Sequence, residues 1–390
     1  MILLNNNKKY HNNNLEVTLF TERRIMTKDM HQKAFEEHTL DKLSIYEKYL
    51  KSALPLFMMR PDINQINIMD YFCGSGTDVN GVPGSPLRAI EAVRSTLLSE
   101  QIDRKKKIVM LFNDQDKNKI AKLNDTLKNI ENLPNNVELF CESKPFSDQF
   151  DKTYRMLNAR GTANVIFIDQ YGLSEVTRDI FERLARLDNT DFLFFLSSAT
   201  YYRFKDDENV KNKIPVLTDV ENASLTPSNV HRTIALAYKR WIPTGRMLYM
   251  GNFSLKHGAN VYGLVFGSGH FAGLDKFLHV AWESNPETAG QADYDIDSDK
   301  ISLLQPSLFV SMNKPTKLKM FEQDLCEEIK ARKLQDNQSI YLYSLEYGVL
   351  PSHVQDALKT LISKGILPQQ RFSVSKACMK KPSVKIIWSK

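Results

Sequence analysis

The stretch Asp70–Leu87, "DYFCGSGTDVNGVPGSPL", decides how this chain is read. An apolar run leads into it, and glycines follow at 74, 76, 81 and 84. An acid and two glycines directly after an apolar run fit the carboxyl end of a strand in an α/β sheet, where such folds bind ligands. The glycines permit positive φ and let backbone approach a ligand closely. Ser85 suits a helix cap and Pro86 the first helical position, so the next helix starts late, nine or ten residues beyond Gly76. Val79 stands where a dinucleotide fingerprint needs its third glycine, and no Gly-Lys-Ser/Thr follows, so NAD and P-loop readings lose ground. For this stretch alone, a plain strand-loop-helix turn stays open.

Working outward, short apolar runs at 66–72, 107–114, 137–143, 164–171 and 191–198 read as strands covered on both faces. Helix-like segments at 85–100, 116–130, 146–160 and 175–187 alternate with them, which argues for a doubly wound, Rossmann-like α/β sheet. Two further strand candidates, 246–255 and 260–268, are separated by only four residues and read as an antiparallel hairpin. A parallel sheet closed by such a hairpin resembles the class I methyltransferase sheet. Ahead of it, 36–58 reads as an amphipathic helix with Leu40, Leu43, Tyr46, Leu50 and Leu54 at three- and four-residue steps, capped by Thr39 or an adjacent polar residue.

The C-terminal part changes character. Segment 316–334 reads as a helix, and 339–368 as helix, turn, helix, with Ser352 capping the second helix and Gly365 ending it. The tail "RFSVSKACMKKPSVKIIWSK" alternates enough for a β-hairpin and carries six Lys or Arg and no acid. Together these outline a winged helix. The expected division is a loosely packed tail over 1–35, an α/β domain over 36–290, a linker over 291–315 and a winged helix over 316–390.

Three strand ends carry the candidate chemistry. Asp114, and next Asp116, end the second strand where an acid can accept both ribose hydroxyl hydrogens; for Asp116 alone, a helix cap is favoured. Asp169, Gln170 and Tyr171 end the fourth, where an acid, a flat amide and an aromatic could hold an amine or a base. His231, His257, His270 and His279 show no metal spacing, and no metal is expected. The acid-rich run at 293–299 reads as solvated linker. The four cysteines stand far apart, which suits reduced thiols better than a disulfide framework or zinc site. The asparagine-rich opening makes a poor signal peptide, and no apolar run is long enough for a membrane span, so a cytoplasmic location is expected. A net charge of +6 is mild; the basic tail matters more than the sum.

With these residues assembled, the chain resembles the three-Cys-motif partner family (TcmP), over roughly residues 36 to 285. "HTLDKLSIYEKYL" is similar to its Thr-x-x-Lys segment, "DYFCGSGTDVNGVPGSPLRAIE" to its Asp-x-Phe-x-Gly-x-Gly loop ending in Gly-Ser-Pro-Leu, "FIDQYG" to its Phe-Ile-Asp-Pro-Phe-Gly strand end, and "VYGLVFGSGHFAGLDKFLHVAW" to its Tyr-Tyr-Leu-Ile-Phe-Ala-Thr…Trp segment. The resemblance implies an S-adenosylmethionine (SAM) site lined by Asp70, Phe72, Cys73, Gly74 and Gly76, with Asp114 on the ribose and Asp116 beside it. Asp169, Gln170 and Tyr171 would orient an acceptor nitrogen. It further implies a three-cysteine-motif partner of radical-enzyme type and a defence-related setting, which suits a nucleic-acid target, DNA ahead of RNA; the basic tail, outside the resemblance, supplies the expected contacts Arg371, Lys376, Lys380, Lys381 and Lys385. Gln170 replaces the family's proline and Cys73 its alanine. The first departure bears on catalysis more than on cofactor binding, and keeps a second function in view: a catalytically silent fold that binds nucleic acid or scaffolds a partner.

Overall fold

The apolar runs become strands because each is covered on both sides, and their alternate residues supply two separate cores. In the computed structural model, which describes residues 34–98, 105–170, 174–203, 205–208, 214, 216, 218–220, 230–257, 260–284, 296–297, 317–370 and 373–387, the chain enters through α1 (Glu37–Met59). The alternation then runs β1 (Gln65–Asp70), α2 (Ser85–Leu97), β2 (Lys107–Asn113), α3 (Lys117–Lys128), β3 (Val137–Glu142), α4 (Phe146–Leu157), β4 (Thr162–Ile168), α5 (Arg178–Arg186) and β5 (Thr190–Leu196). Helices α6 (Ser198–Arg203) and α7 (Val230–Arg240) precede the hairpin β6 (Tyr249–His257) and β7 (Asn260–Ser268), and α8 (Phe271–Ser284) follows it.

The strand order is β3-β2-β1-β4-β5-β7-β6-β8, with β1 to β5 parallel and β7 antiparallel to both β5 and β6. Seven strands in this order, with the hairpin at one side, make a Rossmann-like class I methyltransferase fold. The eighth, β8 (Ile296–Asp297), pairs parallel to β6 and falls inside the segment expected to be wholly linker. On one face of the sheet Ile68, Met110, Phe112, Val165, Phe167, Leu193 and Phe195 pack with α1, α2 and α8. On the other, Met69, Leu111, Ile166, Ile168, Phe192 and Phe194 pack with α4, α5 and α7.

The C-terminal helices α9 (Lys317–Lys330), α10 (Asn337–Tyr347) and α11 (Pro351–Ser363) form as expected, and their apolar residues join the first of these cores. Trp282 Nε1 of α8 donates to the Gly348 carbonyl at 3.0 Å, and Tyr341 Oη of α10 donates to Asp275 Oδ1 at 2.9 Å. Three caps differ from expectation, the first at α1, which starts behind Glu36 with Thr39 already in its first turn. Pro351 opens α11 behind Leu350, whose amide donates to His353 Nδ1 at 3.2 Å, so His353 does the capping rather than Ser352. Gly84 caps α2, which leaves Ser85 in its first turn.

The hairpin expected in the tail is absent among the described residues. A 3-10 turn, Lys376–Lys380, takes its place. The tail bonds to the start of α10 instead of to itself: Gln338 Nε2 donates to the carbonyls of Cys378 and Lys381, and the Asn337 side chain bridges the Val384 amide and the Ser373 carbonyl. Pro382, which lacks an N–H, cannot donate to a ladder at that point. The described residues give three helices with this strap, whose Lys385 pairs with Asp336 as an isolated antiparallel bridge; the wing of the expected winged helix is not among them. The expected tail over 1–35 lies almost wholly outside the described residues.

Candidate functional site at the carboxyl edge of the sheet

The opening stretch forms a closed loop over the end of β1. Gly74 and Gly76 sit at φ 65° and 88°, left-handed values that other residues adopt at a cost. A side chain at Gly76 would also meet Leu123 Cδ1 at 2.8 Å. The Gly84 amide donates to the Gly76 carbonyl at 2.7 Å, and Thr77 bridges to Pro83, so residues 77–83 fold back as a small tongue. Asp78 locks it: Oδ1 accepts from the amides of Asn80 and Val82, and Oδ2 from that of Phe35. These amide donors hold its carboxyl below the ordinary range against the opposing effect of burial.

Three carboxyls converge beneath this loop. Asp70 is fully buried; Oδ1 accepts from the Phe72 amide at 3.2 Å. Burial pushes its carboxyl up to about 7, with the nearby charges of Asp169 and Asp114 adding and the Ser85 hydroxyl opposing. Oδ2 of Asp70 makes no hydrogen bond of good geometry among the described residues. Asp114 accepts from the Gly74 amide (3.2 Å) and the Asp116 amide (2.9 Å), with Lys119 Nζ at 4.0 Å. Asp116 takes the alternative role weighed for it, capping α3 by accepting from the Asn118 amide at 2.8 Å. Cys73 is buried, and its thiol is pushed up by burial first and then by Asp70 and Asp114, which makes it a poor nucleophile. Phe72 packs against Phe146 at 5.2 Å between ring centres.

Asp169 brings a partner that residue types alone did not single out. The buried Lys42 of α1 forms an ion pair with Asp169 Oδ2 and lies 4.3 Å from the centre of the Phe195 ring. One helical turn on, Tyr46 stacks on Phe167 at 4.2 Å, and Phe167 is the register partner of Asp70. The Tyr46 hydroxyl, like Asp70 Oδ2, has no hydrogen-bond partner among the described residues. A second turn on, Tyr49 donates to Asp191 Oδ2 at 2.6 Å. One face of α1 therefore carries polar groups over the sheet, at spacings that also fit an apolar stripe.

Gln170 does not join this convergence. Its Nε2 donates to the Phe195 carbonyl at 3.1 Å, and its Oε1 accepts from the amides of Glu175 and Val176. The amide thus ties the end of β4 to the end of β5 and to the following loop. Tyr171 lies outside the described residues, as does Arg371. Of the basic tail, Lys376 donates to Asp275 Oδ2 at 3.3 Å, while Lys380, Lys381 and Lys385 are exposed. Although three carboxyls meet, no group of three or more His, Cys, Asp or Glu among the described residues is placed to hold a metal ion. No described helix is long and apolar enough to cross a membrane.

No family model matches the sequence, and no curated protein matches it. Solved structures do match in shape. The O-methyltransferase TomG from Streptomyces achromogenes, involved in tomaymycin synthesis and solved with SAM, is 10% identical with a TM-score of 0.32, covering 60% of this chain and 91% of that one. Trm1 from Pyrococcus horikoshii, solved with S-adenosyl-L-methionine, is 10% identical with a TM-score of 0.36, over 66% of this chain and 60% of that one. A spermidine synthase holding the transition-state analogue AdoDATO is 12% identical with a TM-score of 0.32, over 62% and 64%. Likenesses this loose carry no residue correspondence; the strand order carries the fold.

Proposed function

We propose that this chain is a SAM-binding, methyltransferase-like protein of the three-Cys-motif partner type that acts on or with nucleic acid. The observation that carries the reading is the meeting of Asp70, Asp114 and Asp169 under a left-handed glycine loop at the carboxyl edge of the sheet. A buried acid with an uncommitted oxygen, flanked by two further carboxyls, suits a ligand bearing positive charge. SAM bears a sulfonium and an ammonium, and when bound it supplies an electrophilic methyl carbon. Asp114 would accept the ribose hydroxyls, and Gly74 and Gly76 would let the backbone run along the methionine part. Asp169, held by Lys42, would keep one oxygen toward the acceptor.

A second reading, a silent fold that binds or scaffolds, is favoured by the commitment of Gln170 to backbone partners and of Asp169 to Lys42. Calorimetric titration with SAM, repeated on Asp114→Ala, tests the cofactor; no heat from the parent protein overturns it. Labelled methyl transfer to DNA, RNA or a co-expressed three-cysteine-motif partner then separates enzyme from scaffold. For the nucleic-acid part, the exposed Lys380, Lys381 and Lys385 are the phosphate contacts we assign. Neutralising all three should reduce the salt slope of DNA binding by about 3, near 1 for each contact. An unchanged slope removes the tail from the interface. The defence setting belongs to the same proposal and rests on the resemblance; the cytoplasmic location belongs to it too and rests on the scattered, free cysteines.

A further inference from the structure

At the opposite, amino edge of the parallel strands lies a cleft of about 810 Å³ between the second half of α1 and the first turns of α8. Its size falls within the roughly 300–1,000 Å³ of small-ligand sites. Asp191 of β5 stands in its lining, buried, bonded to Tyr49 and with its carboxyl pushed by burial up to about 6.

The charges around the walls do not cancel evenly. Arg60 binds Asp62 through Nε and Nη2, and Arg246 binds Asp188 at 3.0 Å together with the Ala185 and Leu187 carbonyls. Lys376, just beyond, is bound to Asp275, whose other oxygen accepts from Tyr341. Lys276 is different. It lines the cleft half-buried and makes no hydrogen bond or ion pair among the described residues. Burial and the charge of Lys376 hold its ammonium below its ordinary value. In the same lining, His270 Nδ1 accepts from the Ala272 amide at 3.1 Å, which leaves Nε2 as the N–H of the neutral ring. His270 is likewise held below its ordinary value, by burial, Lys376 and Arg60. Arg60 keeps Nη1 uncommitted. Leu56 and Met247, 42% and 68% exposed, add apolar surface to the lining.

We propose that this cleft is a second ligand site, which binds a phosphate group through Lys276, His270 and Arg60. Donors from three places in the chain exceed what the two oxygens of a carboxylate need and match the terminal oxygens of a phosphate. The exposed Leu56 and Met247 take the apolar part of whatever carries it, a free nucleotide or a nucleic-acid backbone. Asp191 is the group on the floor that opposes an anion.

The test uses the full chain and three probes: inorganic pyrophosphate, ADP and a short oligodeoxynucleotide, each by calorimetry. Lys276→Gln should weaken binding by about tenfold or more, the value of one charge-assisted hydrogen bond. It should melt like the parent and bind SAM as the parent does, which separates this site from the one at the carboxyl edge. Lys359→Gln, exposed on α11 and paired to Asp356, is the control and should bind like the parent. Pyrophosphate and ADP binding that Lys276→Gln weakens supports a free phosphate ligand; oligonucleotide binding alone supports a backbone phosphate only where Lys276→Gln weakens it, because binding through the tail lysines would be unchanged. No heat from any probe, or equal affinity for Lys276→Gln and parent, overturns the site.

Discussion

Replacing Lys42 by methionine keeps an unbranched side chain against Phe195 and deletes only the charge that Asp169 is paired with. The Lys42 side chain is 1% exposed and that of Asp169 22%. Removing one partner of a buried ion pair costs about 3–5 kcal/mol, because the other charge is left without compensation. Asp169 keeps some water, which recovers part of that, and methionine replaces most of the packing. The net loss for Lys42→Met should then be about 2–3 kcal/mol, including the lost attraction between ammonium and ring. In thermal unfolding of the full chain this corresponds to a fall of roughly 2–4 °C. The double variant Lys42→Met/Asp169→Asn leaves no stranded charge and should recover about 1–2 kcal/mol relative to the sum of the single changes. Urea unfolding of the four proteins measures the coupling. Strictly additive losses, or a Lys42→Met protein as stable as the parent, would refute the claim that this pair is a buried, mutually compensating one.

Other outcomes follow from the same site. Asp70 is pushed up to about 7, so the folded protein holds a proton there that the unfolded chain releases near 4. Stability should therefore fall as pH rises from about 4 to 7, by up to about 4 kcal/mol for this group, and Asp70→Asn should flatten the urea midpoints across that window. Gln170→Ala removes bonds to Phe195, Glu175 and Val176 and should cost about 2–3 kcal/mol while leaving SAM affinity near the parent's; a normal melting point with lost acceptor methylation would instead return Gln170 to the acceptor site. Gly76→Ala combines a φ of 88° with a close approach to Leu123, and should cost about 1–3 kcal/mol and abolish the calorimetric SAM signal.

The sheet was legible because its signals are local. Five apolar runs, each bounded by turn residues, can hardly be anything but covered strands, and the short gap before Asn260 forces a hairpin. Asp70, Asp114 and Asp169 were legible for the same reason: a strand end says which way a residue faces. Lys42 was not. A lysine among leucines on an amphipathic helix reads as the solvated side, and only a carboxylate 127 positions away makes its burial tolerable. The bonding of Gln170 was not legible either, since the backbone groups that claim its amide come from β5 and from a loop its own strand does not specify. The tail's alternation suggested a hairpin, but the side-chain amides of Asn337 and Gln338 offered its backbone better partners than its own other half did.

The joint between α8 and the C-terminal helices carries a consequence for how this protein could have been assembled. Lys317, 3% exposed, sits 4.7 Å from the Phe253 ring and 6.0 Å from that of Trp282, and the apolar residues of α9, α10 and α11 belong to the same core as β6 and α8. Cutting the chain ahead of α9 would bare that aromatic cage and part of the sheet's own covering. The helices are thus not a detachable reader that a recombination event could exchange for another. A relative carrying a different C-terminal part would need compensating changes on β6 and α8, and those two elements are where lineages with different termini should be seen to diverge together.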